Sequence, residues 1–148
     1  MNNYPVWWNQ SITVFNRFDD PATHRITWYK SKVDGCFWKY TENRLTVGET
    51  VLESAVTLCR VPVSESFKER YEWESLQPAQ RSKYFTFGPG DIVIKGAVDD
   101  VVDEYTAGRR SSDLLTKYRK LQGCMTVQRC AVNTGEGRGN EHYLVKGV

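Results

Sequence analysis

Glycines and a lysine between residues 85 and 100 raise the first chemical question, because phosphate-binding loops combine the same residue types. The segment reads FTFGPGDIVIKGAVDD, in which Gly90 is followed by Lys95 and Gly96. A P-loop needs the lysine after its last glycine and then a Ser or Thr where a helix begins. Here Lys95 precedes Gly96, Ala97 stands in the hydroxyl position, and β-branched residues fill the interval. The order predicts a β-strand between two glycine turns instead of a phosphate cradle.

No other cluster has the spacing of a catalytic or metal site. Residues 135–139 read GEGRG, but no helix or βαβ context follows them, so they predict a flexible hairpin turn. Asp19, Asp20 and His24 have the residue types of a metal or acid–base centre, yet carboxylates beside a proline are ordinary turn formers. His142 lies in the last predicted strand and is expected to be structural. We expect no catalytic, metal-binding or cofactor-binding residues and no enzyme activity. An enzyme centred on the Asp19–Asp20–His24 group is the open alternative.

The cysteines and the chain start bear on the cellular compartment. Cys36, Cys59, Cys124 and Cys130 contain no C-x-x-C pair and have no zinc spacing from the histidines. The start MNNYPVWWNQ lacks the regions of a signal peptide, and no apolar run is long enough to span a bilayer. These features predict a soluble protein without a membrane partner, made in a reducing cytoplasm, with cysteines as thiols in or near the core. One disulfide is the alternative if the chain ends up outside the cell.

Aromatic residues in the charged stretch ERYEWESL predict an interaction surface. Tyr71 and Trp73 have no evident apolar partners in this polar context, and amphipathic aromatics on a loop are typical interface anchors. The 5 tryptophans of the chain suggest an alternative, a binding platform for carbohydrate or cell-wall sugars. Aromatic residues in strands are more often part of the core, so the interface is the preferred interpretation.

Charge is nearly balanced overall, with a formal net charge of +2, so no bulk charge demands nucleic acid or membrane as a partner. The acids form one cluster, which consists of Asp99, Asp100, Asp103 and Glu104. A basic tract follows it, which consists of Arg109, Arg110, Lys117, Arg119 and Lys120. Such blocks are typical of solvated faces, and they also suit self-complementary contacts between copies of a chain. The predicted interface residues are the four acids, Arg109 and Arg110, together with Tyr71 and Trp73.

Alternation of apolar and polar residues predicts a mainly β protein. The stretch SITVFNRF places Ile12, Val14 and Asn16 on one face, and HRITWYKSKV follows after turn-forming residues, so the two predict a hairpin. The triplet VDG before CFWKY predicts another break. We expect one domain over residues 1–148, a small β-barrel or sandwich. It has one long charged loop at about 64–84, one short helix at about 112–122 and a C-terminal hairpin at about 124–148.

Four motifs, taken in order, resemble a group of small proteins from phages and prophages of Gram-positive bacteria. Those proteins are encoded among head and neck genes and are described as minor capsid or head–tail connector proteins. ITVFN at 12–16 is similar to an ITLYN-type first strand, and GDIVIKG at 90–96 to a GDYIVKG-type strand. Asp113, Leu114 and Tyr118 resemble a helix with a D-L-x-x-x-Y core. His142, Tyr143, Val145 and Gly147 resemble an H-W-x-V-G-type last strand. The chain departs from the pattern at Tyr143, at the additional isoleucine of GDIVIKG and in the charged middle loop.

The resemblance implies a structural protein of the virion, of the head-closure or stopper type. Such proteins are small β-barrels with long loops that form a homo-oligomeric ring, here of six- or twelve-fold symmetry. The implied place is the neck at the portal vertex, after assembly in the host cytoplasm, where the ring closes the head after DNA packaging and joins it to the tail. The implied partners are other copies of the chain, the portal or adaptor protein, the tail-terminator or tail tube protein, and packaged double-stranded DNA in the channel. A tail-terminator or tail-completion subunit is the alternative within this class.

Overall fold

The computed structural model describes residues 4–119, 121, 123–133 and 141–148, and these contain a closed antiparallel β-barrel. Its strands are β1 (Gln10–Asp19), β2 (Ile26–Val47), β3 (Thr50–Pro62), β4 (Ile92–Lys95), β5 (Cys124–Asn133) and β6 (His142–Gly147). Around the barrel the order is β1-β2-β3-β6-β5-β4, and β4 pairs back with β1. The helices are α1 (Arg70–Ser75), α2 (Pro78–Arg81) and α3 (Ser111–Arg119). The predicted mainly β fold with a small barrel is confirmed.

Both faces of β1 are buried, although alternation suggests one apolar face. Ile12 and Val14 point into the barrel, where they pack in a cluster with residues of the other strands. Phe15 lies on the opposite face in a second cluster that includes Ile92 of β4 and Leu114 of α3. The outer face is therefore covered because α3 and the segment before it lie across this side of the barrel. The barrel consequently has a core inside and a smaller one outside.

Strand β2 continues through the VDG triplet, so the predicted break there is wrong. Gln10 of β1 pairs with Cys36, and Ile12 pairs with Val33, so two steps along β1 match three along β2. Such a mismatch is a β-bulge, and Gly35 supplies the left-handed backbone with φ of 76°. The bulge bends β2, which pairs with β1 before it and with β3 after it. The first half of the strand thus pairs with β1, and its second half pairs with β3.

A two-stranded ribbon, formed by residues 41–56 and called the arm below, extends from the barrel. Here β2 and β3 pair with each other from Thr41↔Val56 to Val47↔Thr50, and β3 meets β6 only from Thr57 onward. Gly48 has φ of 62° in the two-residue turn, as a hairpin turn of this length requires. At about 3.4 Å per residue the arm is about 20 Å long.

The remaining predictions for secondary structure concern the charged segment, the helix and the C-terminal hairpin. The charged segment at residues 64–84 contains the short helices α1 and α2 instead of being only a loop. Helix α3 spans Ser111–Arg119, close to the predicted 112–122. Strands β5 and β6 form the predicted terminal hairpin. Residues 134–140, for which GEGRG predicts a turn, lie outside the described residues. Among the helices described, none is long and apolar enough to cross a lipid bilayer.

Candidate functional site

Asp91, in the glycine segment that resembles a phosphate loop, is a buried structural anchor. Its side chain is 0% exposed, and its Oδ2 accepts hydrogen bonds from Asn16 Nδ2 at 2.9 Å, Gly88 N at 2.9 Å and Arg70 Nη1 at 2.7 Å. Its Oδ1 accepts a hydrogen bond from Arg17 N at 2.9 Å. A Cβ on Gly88 would lie 3.1 Å from Arg70 Cδ, so this glycine lets the arginine approach. The carboxylate therefore joins β1, β4 and α1.

The ion pair between Arg70 and Asp91 fastens the charged segment to the barrel. Burial raises the pKa of Asp91 above its ordinary value, and the nearby Arg70 charge opposes that rise. Burial would lower the pKa of Arg70, but the carboxylates of Asp91 and Glu74 outweigh it and raise that pKa. Arg70 also donates a hydrogen bond to the carbonyl oxygen of Arg17. Arg70 thus binds β1 as well as Asp91.

The lysine of the same segment does not face this network. Residues 92–95 form β4, which pairs with β1 and β5, so the strand prediction is confirmed. Lys95 is exposed at the strand end. Gly96 has φ of 97° and donates its N–H to the Ser11 carbonyl at 2.7 Å. Its own carbonyl accepts a hydrogen bond from Thr13 Oγ1 at 2.8 Å. The glycine after the lysine therefore ends a strand.

Trp73, predicted as an exposed interface anchor, is fully buried at 0% exposure, and that prediction is wrong. Its ring meets Tyr29 and Phe18 edge to face at centroid distances of 5.5 and 6.1 Å. Its indole N–H donates a hydrogen bond to the Tyr84 carbonyl at 3.3 Å. Arg81 completes the pocket, with its guanidinium 3.7 Å from the Phe18 ring centroid. A buried arginine whose donors are occupied serves here as an apolar partner through its stem and its flat face.

Tyr71 remains compatible with an interface, because 72% of it is exposed on α1. The tryptophans, by contrast, form no exposed platform. Trp7 is 65% exposed, whereas Trp8, Trp28 and Trp38 are half-buried and Trp73 is buried. A sugar-binding surface needs several exposed rings side by side, so this arrangement gives the carbohydrate alternative no support.

Three of the four clustered acids have partners within the chain. Asp100 accepts hydrogen bonds from Lys117 Nζ at 2.8 Å and from the Tyr118 hydroxyl, and these donors hold its pKa low although burial would raise it. Glu104 Oε1 accepts hydrogen bonds from Trp28 Nε1 at 3.0 Å and Ser111 N at 3.2 Å. These acids therefore fasten α3 to the outer face of the barrel.

The third acid, Asp103, organises the loop before α3. It accepts hydrogen bonds from Tyr105 N at 2.9 Å and Thr106 Oγ1 at 2.8 Å, and the first of these is the main cause of its lowered pKa. Asp99, Arg109 and Arg110 are exposed. The predicted contact between opposite charges of neighbouring copies would therefore depend mainly on these three residues, and it stays a prediction.

The Asp19–Asp20–His24 group forms the turn between β1 and β2. Asp20 Oδ1 accepts hydrogen bonds from Ala22 N at 2.8 Å and Thr23 N at 3.4 Å, which lower its pKa. His24 has a left-handed φ of 57°, and Asp19 binds Arg17 Nε at 3.1 Å. These contacts agree with turn formation. In the part of the chain that the structure describes, no three His, Cys, Asp or Glu side chains are grouped as metal ligands.

A lysine-lined groove is the feature that sequence reasoning missed. Its volume is about 690 Å³. One wall is residues 30–35 of β2, and the chain start and residues 62–66 form others. Lys30, Lys32 and Lys83 line this groove, called the lysine groove below, together with Asp34. The alternating lysines of the sequence YKSKV were the available signal, because residues two apart in a strand share a face.

Exposed apolar side chains distinguish the arm. Leu45, Val47 and Val51 are 60%, 58% and 52% exposed, in a part of the chain remote from both cores. Leu45 and Val47 have the same parity along β2 and therefore lie on the same face of the arm. Val51 pairs with Thr46 and therefore lies on the opposite face. Two exposed apolar side chains on one face of a projecting ribbon favour a contact with protein there.

Comparison with protein-family models matches residues 7–148 to a family of unknown function designated DUF6751. The match covers nearly all of the chain, and the chain therefore belongs to this family. No curated protein and no solved structure matches it significantly.

Proposed function

We propose that this protein is a structural subunit of a phage neck, of the head-closure type, that works as a ring of identical copies. The ring lies between the portal or adaptor and the tail, retains the packaged DNA and gives the tail a platform. The observation that carries the proposal is the combination of a closed barrel with a projecting arm whose apolar side chains are exposed. A rigid block with an extended contact surface suits assembly between subunits better than catalysis.

The positions of the family-like motifs support the same proposal. Asn16 and Asp91, from the first two motifs, hydrogen-bond to each other in the buried anchor. Leu114, from the helix motif, packs in the outer core. Gly147, from the last motif, lies where a Cβ would be 2.1 Å from the Thr126 carbonyl oxygen. The resemblance thus rests on residues that set the framework of the barrel, which related subunits would share whatever their partners are.

Particle genetics tests the proposal. The gene is interrupted in the prophage or phage genome that carries it, and particles are examined by electron microscopy and mass spectrometry. Loss of a head-closure subunit is expected to give filled heads that release their DNA and do not acquire tails. Complementation with the unaltered gene should restore infectious particles containing the protein. A protein absent from complemented, tailed particles would refute the assignment.

The same experiment separates the tail-completion alternative. Loss of a tail-terminator subunit leaves heads that retain their DNA and tails of abnormal length. Stable filled heads beside such tails would therefore move the protein from the head side of the joint to the tail side.

A further inference from the structure

We propose that the arm of one copy adds as an extra strand to the open edge of β2 in a neighbouring copy, inside the lysine groove. The inference rests on the ring assembly in the proposed function and specifies the contact that joins its subunits. It is drawn from two open strand edges, their charges and the shape of the groove.

The first half of β2 has one paired and one open edge. Residues 26–36 pair with β1, whereas β3 pairs with β2 only from Phe37 onward. Within the described residues, no strand pairs with the other edge of residues 26–35. The Arg25 carbonyl accepts a hydrogen bond from Asp20 N, toward β1, and Ile26 N donates to the Tyr105 hydroxyl, away from β1. By alternation, the backbone groups of residues 28, 30 and 32 point to the open edge.

The lysine groove lies along this open edge and selects for an acidic strand. Lys30 and Lys32 are exposed on β2, and Lys83, which is also exposed, lines the same groove. Asp34, the one acid in the lining, accepts a hydrogen bond from Ser11 Oγ at 2.6 Å. Three positive charges against one negative charge leave the lining at +2. A strand that pairs here is positioned by backbone hydrogen bonds and selected by charge.

The arm has the complementary properties. Residues 41–56 contain Glu42, Glu49 and Glu53 against the single Arg44, which gives −2. The β3 side of the arm is open between Thr50 and Val56, because β6 pairs with β3 only from Thr57 onward.

The backbone direction and the weakness of an isolated ribbon favour the same pairing. A two-residue hairpin turn makes Val47 and Thr50 a hydrogen-bonded pair, so residues 51, 53 and 55 point outward by alternation. A two-stranded ribbon is marginally stable in water, and open edges of this kind are templates for pairing. Docking gives the ribbon a third strand.

The geometry of this contact suits a ring. The arm and the lysine groove are different surfaces of one chain, so the contact is heterologous, and each copy offers one of each. Heterologous contacts produce closed rings when the rotation between copies closes on itself. The lysine groove lies on β2 before the bulge at Gly35, and the arm is formed by the continuation of β2 beyond that bulge together with β3. The bend of that strand therefore sets the angle between successive copies.

Two variants test the pairing from its two sides. Val51→Pro removes an outward amide of the arm, which has no hydrogen bond among the described residues. Val51→Thr is its control, because threonine keeps the amide and the strand preference. The double change Lys30→Glu with Lys32→Glu reverses the groove charge, and Lys39→Glu, on the exposed outer face of β2 beyond the groove, is its control. Circular dichroism verifies that each variant is folded.

Self-association is measured by sedimentation velocity up to about 1 mM protein, where even millimolar affinities are detectable. The unaltered chain, Val51→Thr and Lys39→Glu are expected to associate alike. Val51→Pro and the groove variant are expected to lose about tenfold or more in association constant. The double change Glu42→Lys with Glu49→Lys, mixed with the groove variant, should restore association between unlike chains.

The outcomes separate the inference from the proposed function. Association that survives both Val51→Pro and the groove variant overturns the pairing while leaving the ring proposal intact. An unaltered chain that stays monomeric throughout also overturns the pairing, and the particle experiment then decides the proposed function alone. Arm-dependent association by a protein absent from particles would keep the pairing and remove the neck assignment.

Discussion

Replacing Arg70 by methionine should destabilise the barrel by about 2–3 kcal/mol at pH 7. Removing one member of a buried ion pair costs about 3–5 kcal/mol, because the other charge stays buried. The expected loss of stability for Arg70→Met is smaller than this range because Asp91 keeps its hydrogen-bond donors from Asn16, Arg17 and Gly88. In addition, the Arg70 side chain is already 29% exposed. Methionine preserves most of the unbranched stem, so the loss is electrostatic more than a loss of packing.

The pH dependence identifies the cause. Burial raises the pKa of Asp91 in the folded protein, so its contribution to stability is lost as the pH rises through that value. Without Arg70 the pKa rises further, and the loss becomes larger by about 1.4 kcal/mol per pH unit of added shift. At acidic pH the carboxyl becomes protonated in both proteins, because its pKa is raised in the folded state. There the difference should fall to about 1 kcal/mol, from the lost hydrogen bond to the Arg17 carbonyl.

Urea unfolding of both proteins at several pH values between about 4 and 7 measures this difference. Glu74→Gln is the control, because the half-exposed Glu74 side chain forms the outer ion pair with Arg70, at 2.9 Å, and its loss should cost less than about 0.5 kcal/mol. A free-energy difference for Arg70→Met that is the same at both ends of the pH range would refute the reasoning. The contribution of Arg70 to the free energy of unfolding would then come from packing and not from its charge.

Other substitutions and thiol reactivity test further parts of the structure. Trp73→Ala should cost about 3–5 kcal/mol because it empties a buried aromatic pocket, whereas Tyr71→Ala should change stability by less than about 0.5 kcal/mol; urea unfolding compares them, and equal costs would contradict the burial. Gly147→Ala should destabilise by about 3 kcal/mol or more, because its Cβ would lie 2.1 Å from a β5 carbonyl oxygen; a folded protein with unchanged unfolding midpoint would disprove the close approach. Burial raises the pKa of Cys130 to about 12, so little thiolate exists at neutral pH, yet this half-buried thiol should still be alkylated before Cys59. The pKa of the fully buried Cys59 is also raised well above its ordinary value, by a hydrogen bond with the Cys36 thiol and by burial. Mass spectrometry of timed alkylation gives the order, and Cys59 reacting first would be the contrary result.

The barrel is predictable from local pattern where one physical signal dominates. Ile12 and Val14 alternate with polar residues, and the glycine at position 48 lies in an ordinary hairpin turn. Gly35 shows the limit of that logic. A glycine with left-handed backbone serves a turn and a bulge equally well, and only pairing with β1 decides between them.

Trp73 and the lysine groove escaped sequence reasoning for reasons of tertiary contact. The neighbours of Trp73 in sequence are glutamates, so the local pattern is polar. Its partners come from β1, β2 and α2, and one of them is the charged residue Arg81. The groove depends on where β3 leaves β2, which is a property of strand register. Composition contains no information about it.

The continuity of β2 has a mechanical consequence. One continuous strand, bent at the Gly35 bulge, contains both the base of the arm and the edge of the lysine groove. A pull on the arm is transmitted along the strand axis, and it loads the hydrogen bonds to β1 and β3 in shear, so that many must break together. A pull at right angles would instead unzip them one after another. A chain of copies linked arm to groove would therefore resist tension around its circumference far better than peeling from its rim.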